Sequence, residues 1–331
     1  MSKIAILGSG SWGTALAYTL SKKNDVTLWS YLQSETEDLI KYKENRLFLP
    51  GVILLENIKY TSDIRKAVID TELVIFAVPS FAVRITAHKI SDIFDIKKQT
   101  AVCVSKGMEE NTFMTLSEVI EDELPSGSVV CALSGPTHAE EVGKDIPTAI
   151  VAACKDINHA KHVQDICMNE FFRVYTSTDI KGVELGGTIK NIIALCAGIS
   201  DGTGYGDNTK AALMTRGMSE IARLGVAMGG KYETFYGLSG MGDLIVTCTS
   251  MHSRNRRAGI LIGQGKSAEE ATAEVKMVVE GIKCLKAVKH AGESYNVELP
   301  IINEAYRVVY EGENPKKSVM NLMSRMKKTE Y

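Results

Sequence analysis

The sequence lacks any pattern that would pair or ligate its cysteines. Seven occur in 331 residues, at positions 103, 131, 154, 167, 196, 248 and 284. The number is odd, no Cys-x-x-Cys pair occurs, and most sit in apolar runs such as Ala101–Val104. This argues against a disulfide framework or a zinc site and predicts buried thiols in a reducing cytoplasm. No Cys/His cluster occurs elsewhere, so no metal site is expected. An excess of one charge is missing too: 38 Lys and Arg oppose 40 Asp and Glu, a formal net charge of −2. That excludes a global pull toward nucleic acid or an anionic membrane, while leaving room for a local basic site. No unbroken apolar run reaches the ~18–20 residues of a spanning helix. The Ile4–Leu7 run, ended by Gly8, is too short for a signal-peptide core. Repeats and low-complexity stretches are absent.

What is present fits a two-domain α/β protein. The length suggests two domains, and 45% apolar residues can bury a sizeable core. Short β-type runs at Ile4–Leu7, Val26–Trp29, Leu73–Val78, Ala101–Ser105, Val129–Leu133, Thr148–Ala152 and Phe172–Tyr175 alternate with helical stretches such as Thr14–Ser21. Continuous apolar strands separated by helices predict a parallel, doubly wound sheet covered on both faces. Near Thr178 the texture turns helical, with segments Val183–Ile199, Asn208–Met228, Glu269–Ala291 and Ile301–Val309. The predicted domains are residues 1–179, a Rossmann-type doubly wound domain, and 180–331, an all-α domain. The polar tail Ser324–Tyr331 is expected to fray.

Gly8-Ser9-Gly10-Ser11-Trp12-Gly13 follows the first strand and opens a helix. In that setting Gly8 permits the turn, Gly10 lets a pyrophosphate approach the backbone, and Gly13 lets helix and strand pack closely. Free N–H groups at the helix start then face the phosphates. The acid that binds the ribose 2′-hydroxyl normally ends the second strand, where this chain has Ser30 and Tyr31. Neither acid nor arginine stands there, so NAD or NADP is expected and the choice is open. Lys190 interrupts an apolar helix, with Gly186 and Gly187 one turn before and Ala194 one turn after. Small neighbours would leave room for a ligand, and desolvation would bring the amine toward general acid/base work. Lys106 ends a strand, where ligands of open α/β sheets sit. Ser134-Gly135-Pro136-Thr137-His138-Ala139 follows another strand, with Thr137 expected near a helix start. His138 is a lone histidine, more readily structural than catalytic. Asp243 stands among glycines and apolar residues. Ser253 is placed to cap a helix bearing Arg254 and Asn255, a phosphate site in the making; Arg256 and Arg257 read as a solvated basic face.

Taken together, Gly8–Gly13, Val78-Pro79-Ser80, Ser105-Lys106-Gly107, Ser134-Gly135-Pro136-Thr137, Gly187-Thr188-Ile189-Lys190-Asn191, Gly242-Asp243-Leu244, Thr247-Cys248-Thr249, Ser253-Arg254-Asn255-Arg256-Arg257 and Val279-Glu280-Gly281 occur in one order. In this the chain resembles bacterial NAD(P)-dependent glycerol-3-phosphate dehydrogenases over nearly its full length. The resemblance implies Lys190 as proton acceptor in oxidation. It implies substrate contacts from Lys106, Gly135, Thr137, Asp243, Ser253, Arg254 and Asn255, with Asn191 and Thr247 ranking behind. Cofactor contacts would come from Ser11, Trp12, Lys106, Ala139, Arg254, Val278 and Glu280. It further implies a cytoplasmic homodimer that supplies glycerol 3-phosphate for phospholipid synthesis. Many members carry a basic residue near Tyr31, and its absence here leaves NADPH preference open. Two other readings stay open at this level. One is a dehydrogenase for a carboxylate or thioester substrate; the other is a redox-sensing protein that binds NAD(H) without turnover.

Overall fold

A computed structural model describes residues 1–327, 329 and 330. In the first part of the chain the elements are β1 (Lys3–Leu7), α1 (Ser11–Leu20), β2 (Asp25–Trp29), α2 (Gln33–Tyr42), β3 (Glu44–Asn45), β4 (Leu49–Ile53), β5 (Lys59–Thr61), α3 (Ile64–Val68), β6 (Leu73–Phe76), α4 (Val83–His88), β7 (Thr100–Cys103), α5 (Leu116–Glu123), β8 (Val129–Ser134), α6 (Ala139–Val142), β9 (Thr148–Cys154), α7 (Ile157–Cys167) and β10 (Phe172–Ser177). The remainder is helical: α8 (Ile180–Gly202), α9 (Asp207–Ala227), α10 (Tyr232–Phe235), α11 (Asp243–Thr249), α12 (Arg254–Gly263), α13 (Ala268–Val275), α14 (Glu280–Ser294), α15 (Pro300–Tyr310) and α16 (Pro315–Met323). The chain forms two compact units. One comprises residues 1–109 and 114–184, the other 110–113 and 185–331. The texture change near 180 and the division of the units differ by a few residues, because the division falls inside α8.

The first unit is built on an eight-stranded sheet ordered β10-β9-β8-β7-β6-β1-β2-β5. Ile4–Leu7 and Leu73–Phe76 are fully buried, and successive residues alternate between two cores. Ile4, Ile6, Leu73 and Ile75 join one; Ala5, Leu7, Val74 and Phe76 join the other. Burial on both faces is why these strands read as unbroken apolar runs. From β1 the chain builds outward through β2 to β5, then returns to β6 on the other side of β1. That reversal makes a crevice at the carboxyl end of β1, where ligands of open sheets lie. The sheet is mixed, not wholly parallel: β8 and β9 are antiparallel. Their connection, residues 135–147, holds only the four-residue α6 and no long crossover helix. The short β3, β4 and β5 carry no alternation of their own and were not foreseen.

In the second unit, α8 supplies the core. It has 23 residues; its most apolar window has a mean hydropathy of 1.3 and is 94% buried. Among the described residues it is the one helix long and apolar enough by composition to cross a membrane, although Lys181, Glu184 and Lys190 interrupt its apolar run. Burial in the protein's own core accounts for that character. Where α8 meets α12, the helices touch backbone to backbone. A Cβ on Gly198 would lie 2.1 Å from the Arg256 carbonyl oxygen, and one on Gly259 would lie 2.1 Å from the Leu195 carbonyl oxygen. The single helix expected over Glu269–Ala291 is two, because Lys276 turns left-handed (φ 57°) and ends α13. Arg325 pairs with Glu298, so the tail is tied at its start; Lys328 and Tyr331 lie outside the described residues.

Candidate active site

Gly8, Ser9 and Gly10 make the whole turn between β1 and α1. Gly8 has φ of +118°, and a Cβ there would lie 2.7 Å from the Ala77 carbonyl oxygen. A Cβ on Gly13 would lie 1.9 Å from the Gly8 carbonyl oxygen. The protein's own backbone therefore demands both glycines. Gly10 differs: its φ is −66° and a Cβ there would meet nothing within 4 Å. The open space over Gly10, beside the first N–H groups of α1, is a cradle that a pyrophosphate fits and a side chain would fill. Ser11 and Trp12 open α1, and the half-buried Trp12 ring packs 6.4 Å from that of Phe172.

At the end of β2 the two candidate ribose neighbours part company. Ser30 is 1% exposed and its hydroxyl has no hydrogen-bond partner, so it is not offered to a ligand. Tyr31 is 71% exposed; its ring meets Trp29 edge-on at 6.2 Å, and Lys89 Nζ lies 5.1 Å from its centre.

Three residues singled out in the sequence come together beyond β7 and β8. Ser105 Oγ donates to the Val78 carbonyl and fixes the turn. Lys106 Nζ donates to the Gly135 carbonyl at 3.3 Å, and Thr137 Oγ1 donates to the same oxygen at 3.2 Å. Gly135 is itself pressed against β9, its Cβ position 3.0 Å from Ile150 Cα. The helix here begins at Ala139, two residues later than expected, with His138 at its N-cap. Ala139 is buried in the core, so any contact it makes with a cofactor is through its backbone.

In the second unit Lys190 is 5% exposed and Asp243 1%. Lys190 Nζ donates to Asp243 Oδ1 at 2.8 Å and to Thr247 Oγ1. Asp243 and Thr247 lie four apart on α11, hence on one helix face, and Thr247 Oγ1 in turn donates to the Asp243 carbonyl at 2.6 Å. Asp243 thus orients the amine. The neighbouring Cys248 thiol is pushed up to about 12 by burial, chiefly, and stays protonated. The expected ligand space at Gly186 is filled by protein: a Cβ there would meet the Ser239 carbonyl oxygen at 3.0 Å and Gly240 Cα at 3.3 Å. That approach brings the turn preceding α11 against α8.

Ser253 caps α12 as foreseen, its Oγ accepting the Arg256 N–H at 3.2 Å, and Arg254 is the first helical residue. Asn255 Nδ2 donates to Asn191 Oδ1 at 2.9 Å, and its Oδ1 accepts the Gly281 N–H at 2.8 Å. One amide therefore ties α8, α12 and the start of α14, where Glu280 sits beside half-buried Val278. Arg256 is no solvated arginine. It bonds Asp201 at 2.9 Å and the Thr249 carbonyl at 2.7 Å, joining α8, the end of α11 and α12. Arg257 is exposed, as read. Sequence reasoning missed the Asp201–Arg256 pair and the Gly198/Gly202 and Gly259/Gly263 spacings, although two matched Gly-x-x-x-Gly segments were a legible signal.

Comparison with known proteins identifies the family. The family described as NAD-dependent glycerol-3-phosphate dehydrogenase matches by its N-terminal model over residues 3–160 and its C-terminal model over 179–320. The glycerol-3-phosphate dehydrogenases (NAD(P)+) of Fusobacterium nucleatum and Clostridium acetobutylicum are each 52% identical, over 100% of this chain and 99% of theirs. The crystal structure of glycerol-3-phosphate dehydrogenase from Coxiella burnetii superposes with a TM-score of 0.93 at 36% identity, covering 98% of this chain and 99% of that one. A glycine cradle, a buried lysine on its carboxylate and full-length identity above half thus converge, and the chain belongs to the NAD(P)-dependent glycerol-3-phosphate dehydrogenase family.

Proposed function

We propose that the chain catalyses reversible reduction of dihydroxyacetone phosphate to sn-glycerol 3-phosphate, the precursor for glycerophospholipid synthesis, with Lys190 as the proton donor. When bound, the nicotinamide of NADH or NADPH supplies the hydride. Lys190 carries the assignment: a buried ammonium, held by Asp243 at 2.8 Å, is positioned to stabilise and protonate a developing alkoxide. In oxidation the same amine takes the proton. Asp243 and Thr247 fix its direction. Gly8, Gly10, Ser11, Trp12, Gly13, Lys106, Ala139, Arg254, Val278 and Glu280 are the proposed cofactor contacts. Lys106, Gly135, Thr137, Ser253, Arg254 and Asn255 are the proposed substrate contacts, with Arg254 and the first N–H groups of α12 taking the phosphate. Asn255 retains one amide hydrogen for that purpose, the rest of its side chain being engaged by Asn191 and Gly281.

Residues 1–179 are assigned to the dinucleotide and 180–331 to the substrate. We assign the enzyme to the cytoplasm as a homodimer without nucleic-acid or membrane partners; sedimentation at twice the chain mass checks the dimer. The activity is tested by initial rates of NADH and NADPH oxidation with dihydroxyacetone phosphate. Turnover that Arg254→Ala depresses by about 30- to 1,000-fold in kcat/KM, or ~2–4 kcal/mol, is expected for loss of a charge-assisted contact to a desolvated anion. Unchanged kcat/KM in that variant rejects Arg254 as the phosphate ligand.

A further inference from the structure

We propose that Glu35 sets the cofactor choice, favouring a free ribose 2′-hydroxyl over a 2′-phosphate, and hence NADH over NADPH. β1 and β2 run parallel with Leu7 beside Trp29, and the Gly8 N–H donates to the Trp29 carbonyl at 3.0 Å. Ser9 and Tyr31 therefore stand at the same end of neighbouring strands, each two residues beyond that pair. In dinucleotide folds the adenosine ribose lies against this end of the second strand, where an acid binds its 2′-hydroxyl. The strand here ends without one. The first turn of α2 compensates: the Glu35 carboxylate reaches back to accept the Ser9 hydroxyl at 3.0 Å. Ser9 is a fixed anchor, since its carbonyl accepts Asn45 Nδ2 at 2.7 Å and Thr14 Oγ1 at 3.2 Å.

Glu35 is half-buried, so it remains open to a ligand. One hydrogen bond from Ser9 leaves the carboxylate further lone pairs, enough to accept a ribose hydroxyl. The same charge repels a 2′-phosphate, so discrimination comes from a repulsive element as well as an attractive one. A cation also stands at this end of β2: Lys89 Nζ lies 5.1 Å from the centre of the Tyr31 ring. Once Glu35 is neutral, Lys89 supplies the pull on a phosphate.

The proposal rests on the dinucleotide lying over the glycine turn, which is tested separately. Calorimetric titration of the full chain with NADH and with NADPH, without substrate, reads binding directly. The wild type is expected to bind NADH more tightly. Glu35→Gln should shift the ratio of dissociation constants about tenfold toward NADPH, mainly through tighter NADPH. Ser9→Ala, which frees the carboxylate from its tether, should move the ratio the same way by less. An unchanged ratio in Glu35→Gln, or a wild type that prefers NADPH, overturns the assignment. Gly10→Val has room in the ligand-free fold and an ordinary φ. It should bind neither nucleotide while keeping its circular dichroism and melting temperature. If Gly10→Val binds both normally, the nucleotide lies elsewhere and the proposal falls with its premise. If Gly10→Val loses both and Glu35→Gln shifts nothing, only the role of Glu35 fails.

Discussion

Lys190 is conspicuous in the sequence because a cation inside an apolar helix needs a reason. Its partner is not, because Asp243 lies 53 residues away and only folding brings them together. Lys190→Ala is expected to lower kcat by ~10²–10⁴, the usual contribution of a general acid/base, while nucleotide dissociation constants stay put; retention of half of kcat rejects the role. The same variant strands a buried carboxylate, so its melting temperature should fall. Pairing Lys190→Met with Asp243→Asn removes the lone charge, and this double variant should regain much of that stability yet stay inactive. Failure to regain it means that the stranded carboxylate is not what destabilises Lys190→Ala. Ser30 gives a second case at this scale. Its hydroxyl is buried without a partner, so Ser30→Ala should raise stability by about 1 kcal/mol in urea titrations. The sequence offered Ser30 as a ribose neighbour; only burial removes it.

Elements were legible where their pattern was long or their faces were both covered. The parallel strands announced themselves as apolar runs and α8 as an apolar helix. The break at Lys276 did not, since a left-handed lysine leaves no mark that glycine would. Nor did the crossing of α8 with α12, although it places the turn bearing Arg254. Gly198→Ala would put a methyl 2.1 Å from a backbone carbonyl oxygen, a contact no side-chain rotation relieves. We expect a loss of ~1–3 kcal/mol in stability, as for overpacked cores, together with a fall in kcat/KM as α12 shifts. Gly206→Ala is the matched control, with φ of −90° and open space at its Cβ, and should change neither. Equal effects from the two substitutions would mean that the crossing is not close-packed.

For the whole molecule, alternation of strands with helices followed by helices alone was enough to identify the architecture. The reversed strand β9 escaped it, because a run of apolar residues carries no direction. A pH dependence of stability escaped it too. Glu220 in α9 is 2% exposed and accepts the N–H groups of Ile301 and Ile302 at the start of α15. Burial, which outweighs those two bonds, pushes its carboxyl up to about 7. Between the ordinary glutamate range and that value the folded chain holds a proton that the unfolded chain has released. This group's contribution to stability is therefore full at pH 4–5 and declines as pH rises to about 7. Unfolding free energies from urea titrations across pH 5 to 8 should show Glu220→Gln flatter than wild type by an amount on the order of 3 kcal/mol at the upper end. Parallel curves for the two proteins would place the titration elsewhere.

The crossing of α8 and α12 has a consequence for how such an enzyme can change. Side chains between helices let a lineage adjust their spacing a methyl at a time, each step tested by selection. Here carbonyl oxygen meets Cα, and no smaller residue than glycine exists. The interval between Lys190 on α8 and the turn bearing Arg254 is then set by backbone and not by side chains. Any widening of that interval has to come from the helix ends and the turns that flank them, not from the crossing itself.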